Sequence, residues 1–168
     1  MDDHFETAGA NTGLLGVAQR DGHYRVVALV AIPAGQPLLE LEGRLIDSPS
    51  RDSVQVAERL HIAPPAGLEP GDTPQRYLWR FLNHACAPNA AFVGRTLIAL
   101  REIRVGEEVG FDYNTTEYAI DEPFTCHCGA CDGRTIRGFR HLDAAERERL
   151  RPWLAAHLVD RAADAAPV

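Results

Sequence analysis

Two stretches decide the reading of this chain: Arg80-Phe81-Leu82-Asn83-His84-Ala85-Cys86-Ala87-Pro88-Asn89 and Glu107-Glu108-Val109-Gly110-Phe111-Asp112-Tyr113-Asn114. Taken as residues alone, Glu108–Phe111 reads as a short strand and Tyr113 as a strand-end aromatic with a satisfied hydroxyl. Asn83-His84 reads as a turn with a capping asparagine, and Phe111 as core. Around them the pattern is of short strands. Tyr24–Val30 is a buried apolar run, and Leu38-Leu39-Glu40-Leu41-Glu42 alternates at period two, as a half-buried strand should. Further strands are expected at Ser53–Val56, Leu60–Ile62, Ala91–Val93 and Thr96–Leu100. Ile32-Pro33-Ala34-Gly35 forms a turn, because proline presets φ and glycine accepts the left-handed region.

Outside these strands the chain is looser. The first ~20 residues are polar and read as an arm with an early turn. Residues 63–74 hold several prolines and glycines and read as an irregular loop or insertion. Near the C-terminus, Asp143 followed by Glu146 forms a capping-box pattern ahead of an Ala/Glu/Arg/Leu stretch. Pro152 breaks that stretch, so two short helices should meet near Arg151, with a frayed end from Asp160 onward. The expected organisation is an arm (1–23), a mostly β domain (24–114, insertion about 63–78), a cysteine segment (115–140) and a helical tail (141–168).

With 168 residues, 45% of them hydrophobic, the chain can bury one core. It carries 24 acidic and 17 basic residues, a net charge of −7, and every basic residue is an arginine. A direct nucleic-acid binder would show a basic footprint, and none is present. No apolar run approaches a membrane span, and Asp2, Asp3 and Glu6 give the wrong charge for a secretory leader. The expected location is cytoplasmic, with delivery into a host cell as the alternative, and the GC-rich composition points to a bacterial source. Glu107, Glu108, Asp112, Glu117, Asp121, Glu122 and Asp132 form an acidic run, read either as a solvated face or as an attractor of a cationic substrate.

The four cysteines are Cys86, Cys126, Cys128 and Cys131. Close thiolates joined by glycine-containing turns can converge on one tetrahedral zinc ion. Free thiols or a disulfide are the alternatives, although a C-x-C pair bridges poorly. His127 lies between two ligand candidates and is expected to face solvent.

The first quoted stretch closely resembles the R-F-x-N-H-S-C-x-P-N signature of SET-domain protein-lysine methyltransferases, and the second resembles their G-E-E-L-T-F-D-Y element. Cys126–Cys131 is similar to the post-SET zinc segment, and Ile32–Gly35 to a turn in the family's N-terminal half. The resemblance implies a pseudoknotted, mostly β fold in which the two signatures cross. It implies S-adenosylmethionine on one side and a protein substrate, such as a basic tail, presenting its lysine through a narrow channel on the other. Asn83 and His84, with Arg80, match cofactor-binding positions; Tyr113 matches the catalytic tyrosine. Phe111 matches the channel position that influences the degree of methylation, and Tyr118 is placed with it. Cys86 matches the cysteine that joins Cys126, Cys128 and Cys131 on a structural zinc.

Three departures stand out. The family's glycine-x-glycine cofactor loop should precede Val26, where this chain has His23-Tyr24-Arg25; Gly13 to Gly16 or Gly22 are the alternatives for its work, and no cofactor residue is assigned there. Gly110 replaces a usual threonine, which is expected to loosen the channel beside Tyr113. The cysteines read C-x-C-x2-C instead of C-x-C-x4-C. The competing functions are a catalytically degenerate scaffold acting as a binding module, a methyltransferase of a small amine, and a zinc-stabilised interaction protein.

Overall fold

The computed structural model describes residues 13–164. Its frame is a set of small sheets built from twelve short strands. The first pair, β1 (Leu15–Arg20) and β2 (His23–Ala28), is an antiparallel hairpin closed by Asp21-Gly22. Both turn residues have positive φ, 51° and 79°, the two-residue turn whose twist matches the flanking strands. The expected loose arm is therefore corrected at residues 15–20, which pair along their whole length with β2; residues 1–12 lie outside the described residues. The local signal for this hairpin is the Asp21-Gly22 pair itself.

Strand β3 (Pro37–Glu40) belongs to a second sheet with β8 (Ala90–Val93) and β9 (Thr96–Ala99), in the order β3-β9-β8. A third sheet, β4-β6-β5, is made of β4 (Arg44–Ile46), β5 (Val54–Ala57) and β6 (Leu60–Ala63). The expected insertion at 63–78 is irregular only in its middle. Ala63 is buried in β6, and Gln75–Phe81 forms a 3-10 run that buries Leu78, Trp79 and Phe81. Trp79 donates its indole N–H to the Glu42 carbonyl at 3.1 Å, which satisfies the polar end of an otherwise apolar anchor.

The two quoted signatures come together in the first sheet. β7 (Asn83–His84) runs parallel to β10 (Glu108–Phe111), and β10 also pairs antiparallel with β2. Between β7 and β10 the chain makes the β8–β9 hairpin, so the parallel pairing is a crossover contact closed only by the tertiary fold. On the other pairing of β10, the antiparallel one with β2, Val26 and Val109 face each other, both fully buried. Each such side chain contributes about 1.5–3 kcal/mol by leaving water.

The C-terminal part adds a two-stranded ladder, β11 (Phe124–Thr125) with β12 (Thr135–Ile136), and two helices, α1 (Ala144–Leu150) and α2 (Ala156–Asp164). Asp143 accepts from the Glu146 backbone, and the Glu146 carboxylate accepts from the Asp143 N–H, so the capping box is present. Pro152 sits in a 3-10 turn, Arg151–Trp153, between the helices as expected. Of the frayed end expected from Asp160 onward, Asp160–Asp164 instead continue α2, and residues 165–168 lie outside the described residues. The tail has its own small core of Phe139, Leu142, Leu150 and Leu158. No helix among the described residues is long and apolar enough to cross a membrane.

Candidate functional site

Asn89, a residue of the first signature with no role assigned from sequence, fastens it to the second. Its carboxamide accepts from the Gly110 N–H at 3.0 Å and donates to the Glu108 carbonyl at 2.8 Å. Those are the bonds a neighbouring strand would make, so a buried side chain substitutes for a missing strand at this end of β10. A carboxamide, with one donor and one acceptor end, can do both at once.

His84 comes next in the lattice. Its Nδ1 accepts from the Tyr113 backbone N–H at 3.1 Å, which leaves Nε2 as the protonated nitrogen, 3.2 Å from Cys86 Sγ. Burial, and secondarily Arg134, lowers its pKa to about 4, so the ring is neutral. Asp112 lies 3.7 Å from Nδ1, yet the two are not an ion pair, because that nitrogen is an acceptor already in use. One imidazole thus couples the backbone of Tyr113 to a cysteine of the metal-ligand cluster.

Tyr113 is held on every side. Its ring packs against Phe111 (4.9 Å between centroids), His84 (5.4 Å) and Phe124 (5.9 Å). Its hydroxyl donates to the Leu82 carbonyl at 2.5 Å. Burial pushes the phenol pKa up, and the carboxylates of Glu117, Asp52 and Glu108 push it the same way, so the group stays protonated at neutral pH. It is a hydrogen-bond donor and a dipole, not a base. Phe111, behind it, is buried and packs edge-on against Phe92 at 4.9 Å.

Gly110 does not loosen this region. A Cβ there would sit 3.0 Å from the Asn83 carbonyl oxygen and 3.2 Å from the Ala85 Cβ, so the glycine lets β7 close tightly on β10. The expectation of a slack channel is corrected on that contact.

The cysteines converge. Cys86 and Cys126 have their sulfurs 3.8 Å apart, Cys128 and Cys131 3.9 Å, and the four ligand atoms lie within 4.8 Å of one another. Tetrahedral zinc with Zn–S of about 2.3 Å has an S···S edge of about 3.8 Å. The donor set and its spacing therefore fit one structural zinc ion, and all four cysteines are free of disulfides. His127 is exposed beside them, as expected.

Two expected site residues are engaged elsewhere. Arg80 donates to Asp52 at 2.9 Å and to the Leu68 carbonyl at 2.9 Å, bracing the irregular loop and making no bond to Asn83 or His84. Tyr118 lies on a cleft of about 610 Å³ with Phe139, Arg140, His157 and Arg161. The Arg161 guanidinium stands 4.1 Å above its ring, which is a poor lining for an ammonium substrate. The acidic run also breaks up. Asp112 and Glu117 are buried, Glu108 pairs with Arg25, and Arg101 with the Arg104 backbone N–H holds Glu107 down to about 2. Asp121, Glu122 and Asp132 alone remain as exposed members, so the run is not one cation-attracting face.

In sequence and in fold the chain is similar to known proteins. The model of the SET domain matches residues 23–114, more than half of the chain. A methyltransferase, flvH, of Aspergillus flavus is 31% identical over 141 residues, covering 79% of this chain and 71% of its own. The H3 lysine-36 specific histone-lysine N-methyltransferase of Yarrowia lipolytica is 35% identical over 113 residues, 58% of this chain; the chain spans 15% of that enzyme's length. Among solved structures, KRYPTONITE in complex with mCHH DNA, H3(1-15) peptide and SAH superposes with a TM-score of 0.52 at 24% identity. That match covers 73% of this chain and 29% of the other, and bears on the fold alone.

Proposed function

Taking as premise that the chain belongs to the SET-domain family, we propose that it transfers a methyl group from S-adenosylmethionine to the ε-amine of a lysine in a protein substrate. The single observation that carries this is the pairing of the Tyr113 hydroxyl with the Leu82 carbonyl at 2.5 Å, where the two signatures meet. With its proton given to that carbonyl, the phenol presents its oxygen, and the carbonyl its second lone pair, as two adjacent acceptors against the rings of Phe111, His84 and Phe124. When bound, the cofactor supplies an electrophilic sulfonium methyl. The protein's part is to hold the amine, strip its water and accept hydrogen bonds from it; the ammonium proton is lost to solvent before the methyl arrives, and the sulfonium charge passes to the methylated nitrogen.

A lysine enters this chemistry only as the neutral amine. With a free pKa near 10.4, neutralising it at pH 7 costs about 4.6 kcal/mol at ~1.36 kcal/mol per unit. The Leu82 carbonyl, through its second lone pair, accepts a hydrogen bond from one amine N–H and orients the nitrogen lone pair, while the Tyr113 dipole fixes the axis of attack. Phe111 and Phe92 close the apolar wall behind them and keep water out. We assign Tyr113 the catalytic role, Asn83 and His84 the cofactor wall, Phe111 the pore, and Cys86, Cys126, Cys128 and Cys131 a structural zinc. Because His84 touches both Tyr113 and Cys86, the metal segment and the pore are built as one unit.

Substrate identity is proposed at the level of a lysine-bearing protein. Relatives named for histone H3 make H3 peptides the first ones to test. Incubating the purified protein with tritiated S-adenosylmethionine and H3 peptides, beside a whole-cell lysate, should label lysine in at least one pool. Cofactor binding without label in either would sink the proposal in favour of a non-catalytic scaffold. Label confined to small amines would redirect it to a metabolite methyltransferase.

A further inference from the structure

Where the family has a glycine-x-glycine loop, this chain has Tyr24-Arg25 inside a regular strand. Glycines at such a place let backbone N–H groups approach a ligand, and that route is closed here. Arg25 carries a side chain, and its backbone is in register with Ala18 of β1, with Tyr24 opposite Gln19. Recognition must come from side chains instead.

Three polar side chains meet there. The Asn83 carboxamide donates to the Tyr24 carbonyl at 3.0 Å and to Glu108 Oε1 at 2.8 Å. Glu108 Oε2 receives Arg25 Nη1 at 3.3 Å. The cluster is open to a ligand: Asn83 is exposed, and the Arg25 and Glu108 side chains retain 24% and 37% of their surface. Arg25 is under-used. Of its five N–H donors, one has a partner among the described residues, and its Nε is buried with none. Glu108 takes one of those donors, and the planar fork that remains matches the geometry of a second, bidentate anion such as a carboxylate.

We propose that Arg25 and Glu108 form a receptor for the amino-acid end of the cofactor: Arg25 takes the α-carboxylate and Glu108 the α-ammonium, with Asn83 holding Glu108 between them. The methionine moiety of S-adenosylmethionine is a zwitterion, and an adjacent guanidinium and carboxylate are its complement. A lone arginine would instead bind any anion. This rests on S-adenosylmethionine being the methyl donor.

The test is calorimetric and needs no turnover. Binding of S-adenosylhomocysteine is compared with that of its decarboxylated analogue and its deaminated analogue, for wild type, Arg25→Gln and Glu108→Gln. Arg25→Gln should weaken S-adenosylhomocysteine at least ten-fold and leave the decarboxylated analogue within two-fold of wild type. Glu108→Gln should show the mirror selectivity, losing the parent ligand while sparing the deaminated one. Equal loss of a ligand and its truncated analogue, or no loss, overturns the receptor while the methyl-donor assignment stands. A wild type that binds neither S-adenosylmethionine nor S-adenosylhomocysteine overturns both. If circular dichroism shows Arg25→Gln to be unfolded, Arg25→Lys replaces it; keeping the charge without the fork, it should lose about three-fold on the carboxylate-bearing ligand alone.

Discussion

Replacing Tyr113 by phenylalanine removes one oxygen atom from the centre of the site. The hydroxyl donates to the Leu82 carbonyl, which has no other hydrogen-bond partner among the described residues. The ring itself stays packed by Phe111, His84 and Phe124, and the backbone N–H remains on His84 Nδ1. Leaving a buried carbonyl unsatisfied costs about 1–3 kcal/mol. At about 2–4 °C per kcal/mol for a chain of this size, the melting temperature should fall by roughly 2–12 °C. The catalytic loss should be larger than the structural one, because the amine loses its orienting dipole: on the order of 100-fold or more in kcat. Cofactor affinity should change by less than three-fold, since Asn83 and His84 are untouched. The assay pairs single-turnover methyl transfer with calorimetry and a thermal melt on the same preparation. A Tyr113→Phe protein with wild-type kcat, or one that loses cofactor binding in step with turnover, would refute the reasoning.

Glu117 makes a pH prediction. Burial raises its pKa to about 7, with Gln55 N–H and the Thr116 hydroxyl pulling the other way. A carboxyl whose folded pKa lies above its unfolded value favours folding at low pH, so its contribution is lost as pH rises from about 4.5 to 7, by about 3 kcal/mol. His84, lowered to about 4, changes with the opposite sign over an overlapping window, so the effect should be read as the difference between wild type and Glu117→Gln in denaturant melts. A pH-independent difference would contradict the burial argument. Metal analysis should find one zinc per chain, lost in Cys126→Ser or on chelation. Two-residue strands cannot hold together unaided, so hydrogen exchange over Phe124–Ile136 should then rise to that of a free loop. Gly110→Thr, although it restores the family residue, should destabilise by about 1–3 kcal/mol, because its Cβ meets the Asn83 carbonyl and Ala85. A neutral or stabilising result would show that β7 can retreat.

Much of this protein was decided locally and could be read residue by residue. Glu108–Phe111 is a strand with the expected bounds. The Asp143–Glu146 capping box and the Pro152 break are one-turn interactions, legible because every participant lies within a few residues. The chemical inventory was equally plain, since a run of Asn, His and Cys, a Phe-Asp-Tyr and a cysteine cluster are matters of composition and order. The hairpin of β1 and β2 was legible too, through Asp21-Gly22, but polar surroundings hid it.

Tertiary structure alone decided which partners those residues take. Nothing near Asn89 in the chain announces that its carboxamide will complete the edge of β10, or that one face of His84 will meet Tyr113 and the other Cys86. Arg80 turns to Asp52 and Arg25 to Glu108, each across a separation no local pattern encodes. The acidic residues that looked like one patch were sorted by the fold into buried, paired and exposed. The physical reason is common to all: a charged or polar side chain ends where its hydrogen bonds can be completed at least desolvation cost, and only the packed chain defines those places.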